Sequence, residues 1–483
     1  MSALPPAILA VQSAAVERIL DRFPQLMELG ELFQDRGYEL AVVGGVVRDA
    51  LLQRPISADV DFATSARPED LQAILAQWAP VIWDAGIRFG TVAARRDDVT
   101  WEMTTYRSDS YSHHSRKPDV EFGHDLTSDL FRRDFTVNAM AIRLPDREFC
   151  DPTNGLIDLS AGRLRTPISP ERSFSDDPLR MMRAARFVSQ LGLDVDTETL
   201  AAMTSMAQRL EIVSVERVQA ELTRLLLGRY PRRGLQVLTA TGLAQYVLPE
   251  LPELRLEIDE HHRHKDVYEH SLTVLDQAID LEDDGPDLVL RLAAVLHDIG
   301  KPRTRRHEPG GGVSFHHHEV VGARMARKRL RELRFSKEIV DEVSRLVELH
   351  LRFHGYGTGS WTDSAVRRYV RDAGPLLSRL HKLTRADCTT RNQRRARALQ
   401  RAYDDLEDRI EVLAQEEELA AIRPDLNGNE IMEIMGWKPG RHVGEAYRYL
   451  LELRLDSGPM SRQDAVAALQ EWARDHPELP DGP

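Results

Sequence analysis

Residues 41–66 read AVVGGVVRDALLQRPISADVDFATSA, and the fold turns on this stretch. An apolar run and a glycine pair, Gly44 and Gly45, lead into a basic, helix-like segment. ADVDFA then places Asp59 and Asp61 inside what otherwise reads as a buried strand. Side chains at i and i+2 of a strand share a face. The two aspartates therefore stand side by side, with Val60 and Phe62 turned the other way. Two carboxylates so placed repel, and each costs free energy when removed from water unpaired. A divalent cation such as Mg²⁺ resolves the conflict, because converging hard oxygen ligands suit it. A solvated edge strand or turn is equally open on spacing alone, so the surroundings must decide.

Working outward, residues 7–36 read as one amphipathic helix ending near Gly37. From 38 to 150, β-rich runs (YELAVVGG, ADVDFAT, GTVAARRDDVTWEMTTY, NAMAIRL) alternate with helical stretches such as RPEDLQAILAQWA, which predicts a mixed α/β domain with a small sheet. Residues 107–126, RSDSYSHHSRKPDVEFGHDL, are polar and lack periodicity; a loop that long inside a compact domain is usually functional. Beyond about residue 170 the pattern is helical almost to the end, with a proline-broken linker at LPELPELRLEIDEHH.

The 483 residues suggest about three domains. Two cysteines, Cys150 and Cys388, cannot build a disulfide framework or a cysteine-based zinc site, so a reducing compartment is expected. The N-terminus lacks a signal-peptide pattern, and no run approaches the roughly 20 apolar residues of a membrane span. The expectation is a cytoplasmic protein with no membrane partner. A formal charge of −13 argues weakly against a nucleic-acid partner without excluding one, since binding follows local patches such as LFRRDF, LRMMRAARF and TTRNQRRARAL.

Further motifs stand in order behind the opening stretch. GGVVRD contains Gly44, Gly45, Arg48 and Asp49; RRDFTVNAMA contains Arg132, Arg133, Asp134 and Asn138; DDPLRMMRAARF contains Asp177, Arg180 and Arg183; ERVQAE follows at Glu216. Glycines permit close backbone approach to a triphosphate, or simply form a tight turn. Arginine forks suit phosphate, or simply salt-bridge a helix start. Asp177 and Arg180, at i and i+3, are expected on one helical face, presenting acceptor and donor groups together. Glu102, in VTWEMTTY, is either a third carboxylate on a neighbouring strand or an exposed strand residue.

This ordered set resembles the class II tRNA nucleotidyltransferases (the CCA-adding enzymes) and the related bacterial poly(A) polymerases, over roughly residues 35–250. The resemblance implies a polymerase β-like head in which Asp59 and Asp61 hold Mg²⁺. It also implies that Gly44, Gly45 and Arg48 line the nucleotide site and that Arg132 and Arg133 meet the triphosphate or primer backbone. Asp134 would meet the ribose, with Asn138 beside it, and Asp177 and Arg180 would read the base of CTP or ATP. From its place on the helix, Arg183 extends the same face toward phosphate, while Glu216 and Arg217 either buttress this helix or stack near the base, a purely structural role being equally open. Many members have Glu-Asp where this chain has Asp176-Asp177; the template pair itself is intact.

A second site begins at His297-Asp298 in RLAAVLHDIGKPRTRR, with Gly300 reading as a helix stop. An adjacent His-Asp pair can offer nitrogen and oxygen to one metal. His270, His318, His350 and Asp387 follow the order of the HD superfamily of metal-dependent phosphohydrolases, which this region resembles over roughly 262–390. His318 is chosen over His316 and His317 from its spacing to VVGA. Imidazole and carboxylate without thiolate suit Mn²⁺, Fe²⁺, Ni²⁺ or Zn²⁺. The resemblance implies phosphodiesterase or phosphatase activity on damaged or cyclic-phosphate 3′ ends, or an inherited fold serving structure.

The expected class is α+β: a helical lead (1–36), a nucleotidyltransferase head (37–168), an all-α neck (169–255), an HD domain (256–400) and a helical tail (401–483). The expected function is template-independent CCA addition from CTP and ATP at the tRNA acceptor arm and 3′ end. The 107–126 loop is the candidate element that switches from C to A addition. Poly(A) polymerase, CC-only and A-only addition share the motifs, although the acidic ending EWARDHPELPDGP tilts away from poly(A) synthesis. An HD phosphohydrolase with an RNA-binding head is the alternative of another class. Oligomeric state is not legible.

Overall fold

A computed structural model describes residues 6–86, 90–110, 119–123, 125–255, 266–309, 313–353, 361–389, 393–417 and 423–476. The linker around 256–265, the centre of the 107–126 loop and the terminal residues 477–483 lie outside these. The chain divides into two compact units, Met1–Pro249 and Glu250–Pro483.

The first unit begins with two helices, not the single one expected over 7–36: α1 (Pro6–Arg22) and α2 (Gln25–Gln34). Pro24 separates them, having no amide hydrogen to continue the ladder. There follow β1 (Leu40–Val43), α3 (Gly45–Leu51), β2 (Asp59–Thr64), α4 (Pro68–Trp78), β3 (Val81–Gly86), β4 (Thr91–Arg96) and β5 (Val99–Thr105). Asp97 and Asp98 both take positive φ (53° and 59°), which makes the two-residue turn that splits the GTVAARRDDVTWEMTTY run into the β4–β5 hairpin. The polar stretch expected as a loop has paired ends, β6 (Arg107–Ser110) antiparallel to β7 (Asp119–Phe122). Arg107–Ser110 (RSDS) has no apolar alternation, and the alternation of Asp119–Phe122 (DVEF) spans only four residues, too short a window to mark a strand in the sequence.

After α5 (Leu126–Phe131), β8 (Ala141–Leu144) and β9 (Glu148–Cys150) complete a seven-stranded mixed sheet of order β3-β4-β5-β2-β1-β8-β9. One face is sealed by Trp101, whose ring meets Phe23, Phe62 and Trp78 at 5.9, 5.9 and 5.1 Å. On the opposite face, toward β1 and β8, Val43, Ala63 and Ala141 pack with Leu126 and Leu130 of α5. Helices α6 (Gly155–Ser160), α7 (Pro170–Asp176), α8 (Leu179–Leu191), α9 (Thr197–Met206), α10 (Val215–Leu226), α11 (Pro231–Ala240) and α12 (Ala244–Val247) finish the unit.

The second unit is helical: α13 (Glu250–Glu253), α14 (Val267–Asp280), α15 (Leu288–Leu296), α16 (Lys301–Thr304), α17 (His318–Glu332), α18 (Lys337–Leu349), α19 (Asp363–Ala373), α20 (Leu377–Asp387) and the long α21 (Gln393–Glu417). A small separate core of Ile431, Trp437, Leu450 and Leu469 holds α22 (Gly428–Met435), α23 (Arg441–Ser457) and α24 (Arg462–Arg474) together. Among the described residues no helix is long and apolar enough to cross a membrane.

Candidate functional sites

The expected strand carries the aspartates as the period of two requires: Asp59 and Asp61 are exposed, while Val60 and Phe62 are buried. Parallel pairing of β2 with β5 sets Asp61 directly opposite Glu102, so the three carboxylates share the open face. Asp61 lies in a crowded cleft. Loss of surrounding water pushes its carboxyl up; Arg133 and Arg183 pull it back, and Asp59 pushes it further up. Glu102 is raised by burial and then by Asp61 and Asp59. Mutual repulsion of this kind is relieved by a divalent cation, so the donor set fits one.

Gly44 caps α3 with φ 76°, a conformation glycine adopts freely. A Cβ there would lie 3.4 Å from Nη1 of Arg133 and 3.9 Å from Oδ2 of Asp61. Gly45 is different, since its Cβ would merely touch Arg48 at 3.6 Å. Gly44→Ala is therefore expected to destabilise the first unit by about 1–2 kcal/mol, and Gly45→Ala by well under that. Paired melts of the two variants check this, and equal losses would contradict it.

The arginines are organised by a residue that sequence reading passed over. Asp129, fully buried, accepts from Arg132 (2.9 and 2.7 Å) and Arg133 (3.1 Å). It stands three and four residues before them, a helical spacing that was the available signal. Burial works to raise the Asp129 carboxyl, but the two arginines outweigh it and hold it low. Asp134 is also buried, accepting from Asn138 Nδ2 at 3.1 Å and pairing with Arg183 at 2.8 Å. Arg48 forms a fork with Asp49 (2.9 Å twice) and donates to Asn138 Oδ1 at 2.6 Å.

Asp177 and Arg180 do not share a helical face. Pro178 disfavours helical geometry in the residue before it, so Asp177 is extended (φ −144°, ψ 102°) and only Arg180 belongs to α8. Arg180 is buried and donates to Ser173 Oγ (2.8 Å) and the Arg132 carbonyl (2.5 Å). Asp177 pairs with Arg217 at 2.9 Å.

In the second unit all six expected ligands converge. Two groups, His270–His297–Asp387 and Asp298–His318–His350, each keep their ligand atoms within 4.8 Å of one another. Asp298 links the groups, with Oδ2 at 3.2 Å from His297 Nε2 and Oδ1 at 3.3 Å from His318 Nε2. His297, His318 and His350 direct Nδ1 to the carbonyls of Ala294, Phe315 and Val347 at 2.8, 2.8 and 2.7 Å, which turns each Nε2 inward. Nε2 of His318 and of His350 is buried without a hydrogen-bond partner. Such orphaned nitrogens facing carboxylates fit a metal ion. Burial lowers His297, yet Asp298 and Asp387 outweigh it and hold the imidazole up at about 9; burial and then His297 push His350 down to about 3. Asp298 and Asp387 thus favour positive charge beside His297, while His350 is held neutral, the form in which an imidazole ligates metal.

Gly300 is not the helix stop expected. Its Cβ would lie 2.1 Å from the His318 carbonyl, so its bareness lets the segments carrying His297–Asp298 and His318 touch. Lys301, missed as a partner although it sits in the quoted motif, reaches Asp298 Oδ2 at 2.9 Å.

Three family models match the chain. One described as "Poly A polymerase head domain" matches residues 40–165, "Probable RNA and SrmB- binding site of polymerase A" matches 192–254, and "HD domain" matches 267–392. The A-adding tRNA nucleotidyltransferase of Deinococcus radiodurans is 35% identical over 444 residues, covering 90% of this chain and 96% of that one. The CCA-adding enzyme of Anoxybacillus flavithermus is 29% identical over 460 residues, covering 94% and 97%. The Bacillus stearothermophilus CCA-adding enzyme in complex with CTP superposes with a TM-score of 0.68 at 26% identity, covering 94% and 98%.

Proposed function

Because this chain belongs to the tRNA nucleotidyltransferase family, we propose that it builds and repairs the 3′-terminal CCA of tRNA from CTP and ATP without a nucleic-acid template. The observation that carries the reading is the open sheet face on which Asp59, Asp61 and Glu102 meet.

Asp59 and Asp61, with Glu102 beside them, would hold Mg²⁺. When bound, the metal acidifies the attacking 3′-hydroxyl and neutralises charge on the triphosphate and departing pyrophosphate. Arg132 and Arg133, pre-aimed by Asp129, bind the triphosphate with Arg48. Asp134, with Asn138 and Arg183, orients the ribose. Asp177 and Arg180 read the base edge, which requires Asp177 to share or release Arg217. In the second unit His270, His297, Asp298, His318, His350 and Asp387 would hold Mn²⁺, Ni²⁺, Fe²⁺ or Zn²⁺, a set able to support phosphodiester or phosphomonoester hydrolysis.

A second reading, addition of the final A alone, is favoured by the A-adding relative that shares 35% identity over 90% of the chain. One gel assay separates these readings. Transcripts ending before CCA and after CC are incubated with Mg²⁺ and labelled CTP or ATP. Three additions, CC then A, are expected. Extension of the CC-ending transcript alone would replace the proposal by A-addition, and a long ATP ladder would make it a poly(A) polymerase. Repeating the assay with the 107–126 loop shortened tests that loop's switching role: C addition should persist while A addition falls, and equal loss of both would sink it.

A further inference from the structure

The four imidazoles of the second unit are not held alike. His297 and His350 cap the C-termini of α15 and α18, where carbonyls of the last turn lack helical partners. His318 is the first residue of α17, after a turn in which its amide donates to the Phe315 carbonyl at 3.2 Å. Each of the three directs Nδ1 to the carbonyl three residues before it. A carbonyl only accepts, so in each neutral ring the hydrogen sits on Nδ1 and the lone pair on Nε2. His270 differs. It lies in the first turn of α14, and its own amide donates to the carbonyl of the N-cap Asp266 at 3.0 Å. The carbonyls just upstream of it point along the helix toward amides four residues on, so its Nδ1 needs a partner from elsewhere. That partner is Thr389, whose Oγ1 lies 3.1 Å away and 119 residues along the chain.

One turn grips this ring from both sides. α20 ends at Asp387, and the Thr389 amide donates back to the Asp387 carbonyl at 2.9 Å. Asp387 Oδ1 stands 2.9 Å from His270 Nε2, while Thr389 meets Nδ1. The His270 side chain is also the most open of the four, 15% exposed against 0, 7 and 1% for His297, His318 and His350. In the neutral ring, the contact with Asp387 places the hydrogen on Nε2, and Thr389 then donates to Nδ1. To ligate a cation, Nε2 must offer its lone pair, so the hydrogen must sit on Nδ1 and Thr389 must accept it. A hydroxyl serves in both directions without moving the ring; a carbonyl serves only the second, and an apolar side chain neither. We propose that Thr389 is the positioning residue that lets His270 exchange its bond to Asp387 for one to a divalent cation. His270 is thereby the adjustable ligand of a centre whose other imidazoles are preset. One proton leaves Nε2 and one arrives at Nδ1, so the ring stays neutral. The proposal rests on the reading of the six residues as a metal centre. The rival role for Thr389 is a simple tie between the end of α20 and α14, which pack together.

The test uses the full chain, stripped with chelator and titrated with Mn²⁺ against a competing chelator. Binding at the centre is taken as the part that Asp298→Ala abolishes. Thr389→Val keeps the shape and removes the hydroxyl; it is expected to raise the Kd for Mn²⁺ at the centre about tenfold or more. Thr389→Ser keeps the hydroxyl and should stay within about threefold of wild type. Melts of the stripped proteins supply the second readout, because a mere tie lowers the metal-free midpoint of Thr389→Val and leaves its Kd alone. Three results overturn the role of Thr389 by itself: a Kd for Thr389→Val within about twofold of wild type, a Kd for Thr389→Ser as weak as that for Thr389→Val, or a loss confined to the metal-free midpoint. Wild type binding no more Mn²⁺ than Asp298→Ala would instead overturn the metal centre, and the role of Thr389 with it.

Discussion

Asp61→Asn should lower kcat for nucleotide addition by about 10³-fold or more while leaving the first unit at least as stable as before. The loss follows because the amide cannot serve as an anionic metal ligand, and several kcal/mol of transition-state charge stabilisation disappear with it. The gain in stability follows from the electrostatics of the site. Asp61 is raised by the loss of surrounding water in its cleft and by Asp59, against Arg133 and Arg183. A carboxyl whose folded pKa lies above its unfolded value weakens the native state when ionised. Below about pH 4 it is protonated in both states and costs nothing. As pH rises through the unfolded and then the raised folded value, wild type loses stability that the amide variant keeps. Melts across pH 4–8 without divalent metal should therefore show the variant gaining on wild type. Mg²⁺ should raise the wild-type midpoint more than the variant's. A kcat within tenfold of wild type would remove Asp61 from the metal site. A stability gap independent of pH would remove the electrostatic account.

Asp298→Ala should abolish metal binding at the candidate centre of the second unit and destabilise that unit by about 3–5 kcal/mol. Asp298 is 1% exposed and faces His297, His318 and Lys301 at 3.2, 3.3 and 2.9 Å. Removing it leaves buried nitrogen donors and a lysine without their nearest common anion. For a unit of this size the shift is roughly ten degrees in the midpoint. Metal content of the purified chain and calorimetry read the two effects separately. Stoichiometric metal in the variant, or a midpoint within two degrees of wild type, would sink the assignment of Asp298 as the shared ligand. Asp298→Asn, which keeps the volume, distinguishes a lost charge from a cavity.

Much of both sites was legible because short periodicities carry them. The DVD triplet needs only the two-residue period of a strand, and Asp59, Asp61, Val60 and Phe62 divide between faces accordingly. His297 and Asp298 are adjacent in the chain, and four further ligand-type residues stand in the order of a known family. Asp129 escaped although its spacing to Arg132 and Arg133 is local, because a carboxylate beside arginines looks like an ordinary surface ion pair until its burial is known. Asp177 and Arg180 were misplaced because an i,i+3 rule was applied across Pro178, where the chain leaves helical geometry.

By itself, then, the sequence determined the α+β order, the residue types at both candidate metal centres and the family, since these depend on local periodicity and on motif order. Only the tertiary structure decided which residues meet. The parallel β2–β5 register chose Glu102 as the neighbour of Asp61. The contact at Gly300 brought His318 to His297 and Asp298. Strand register and helix contact are set by how whole faces bury against each other, a quantity summed over residues distant in the chain that no short window contains.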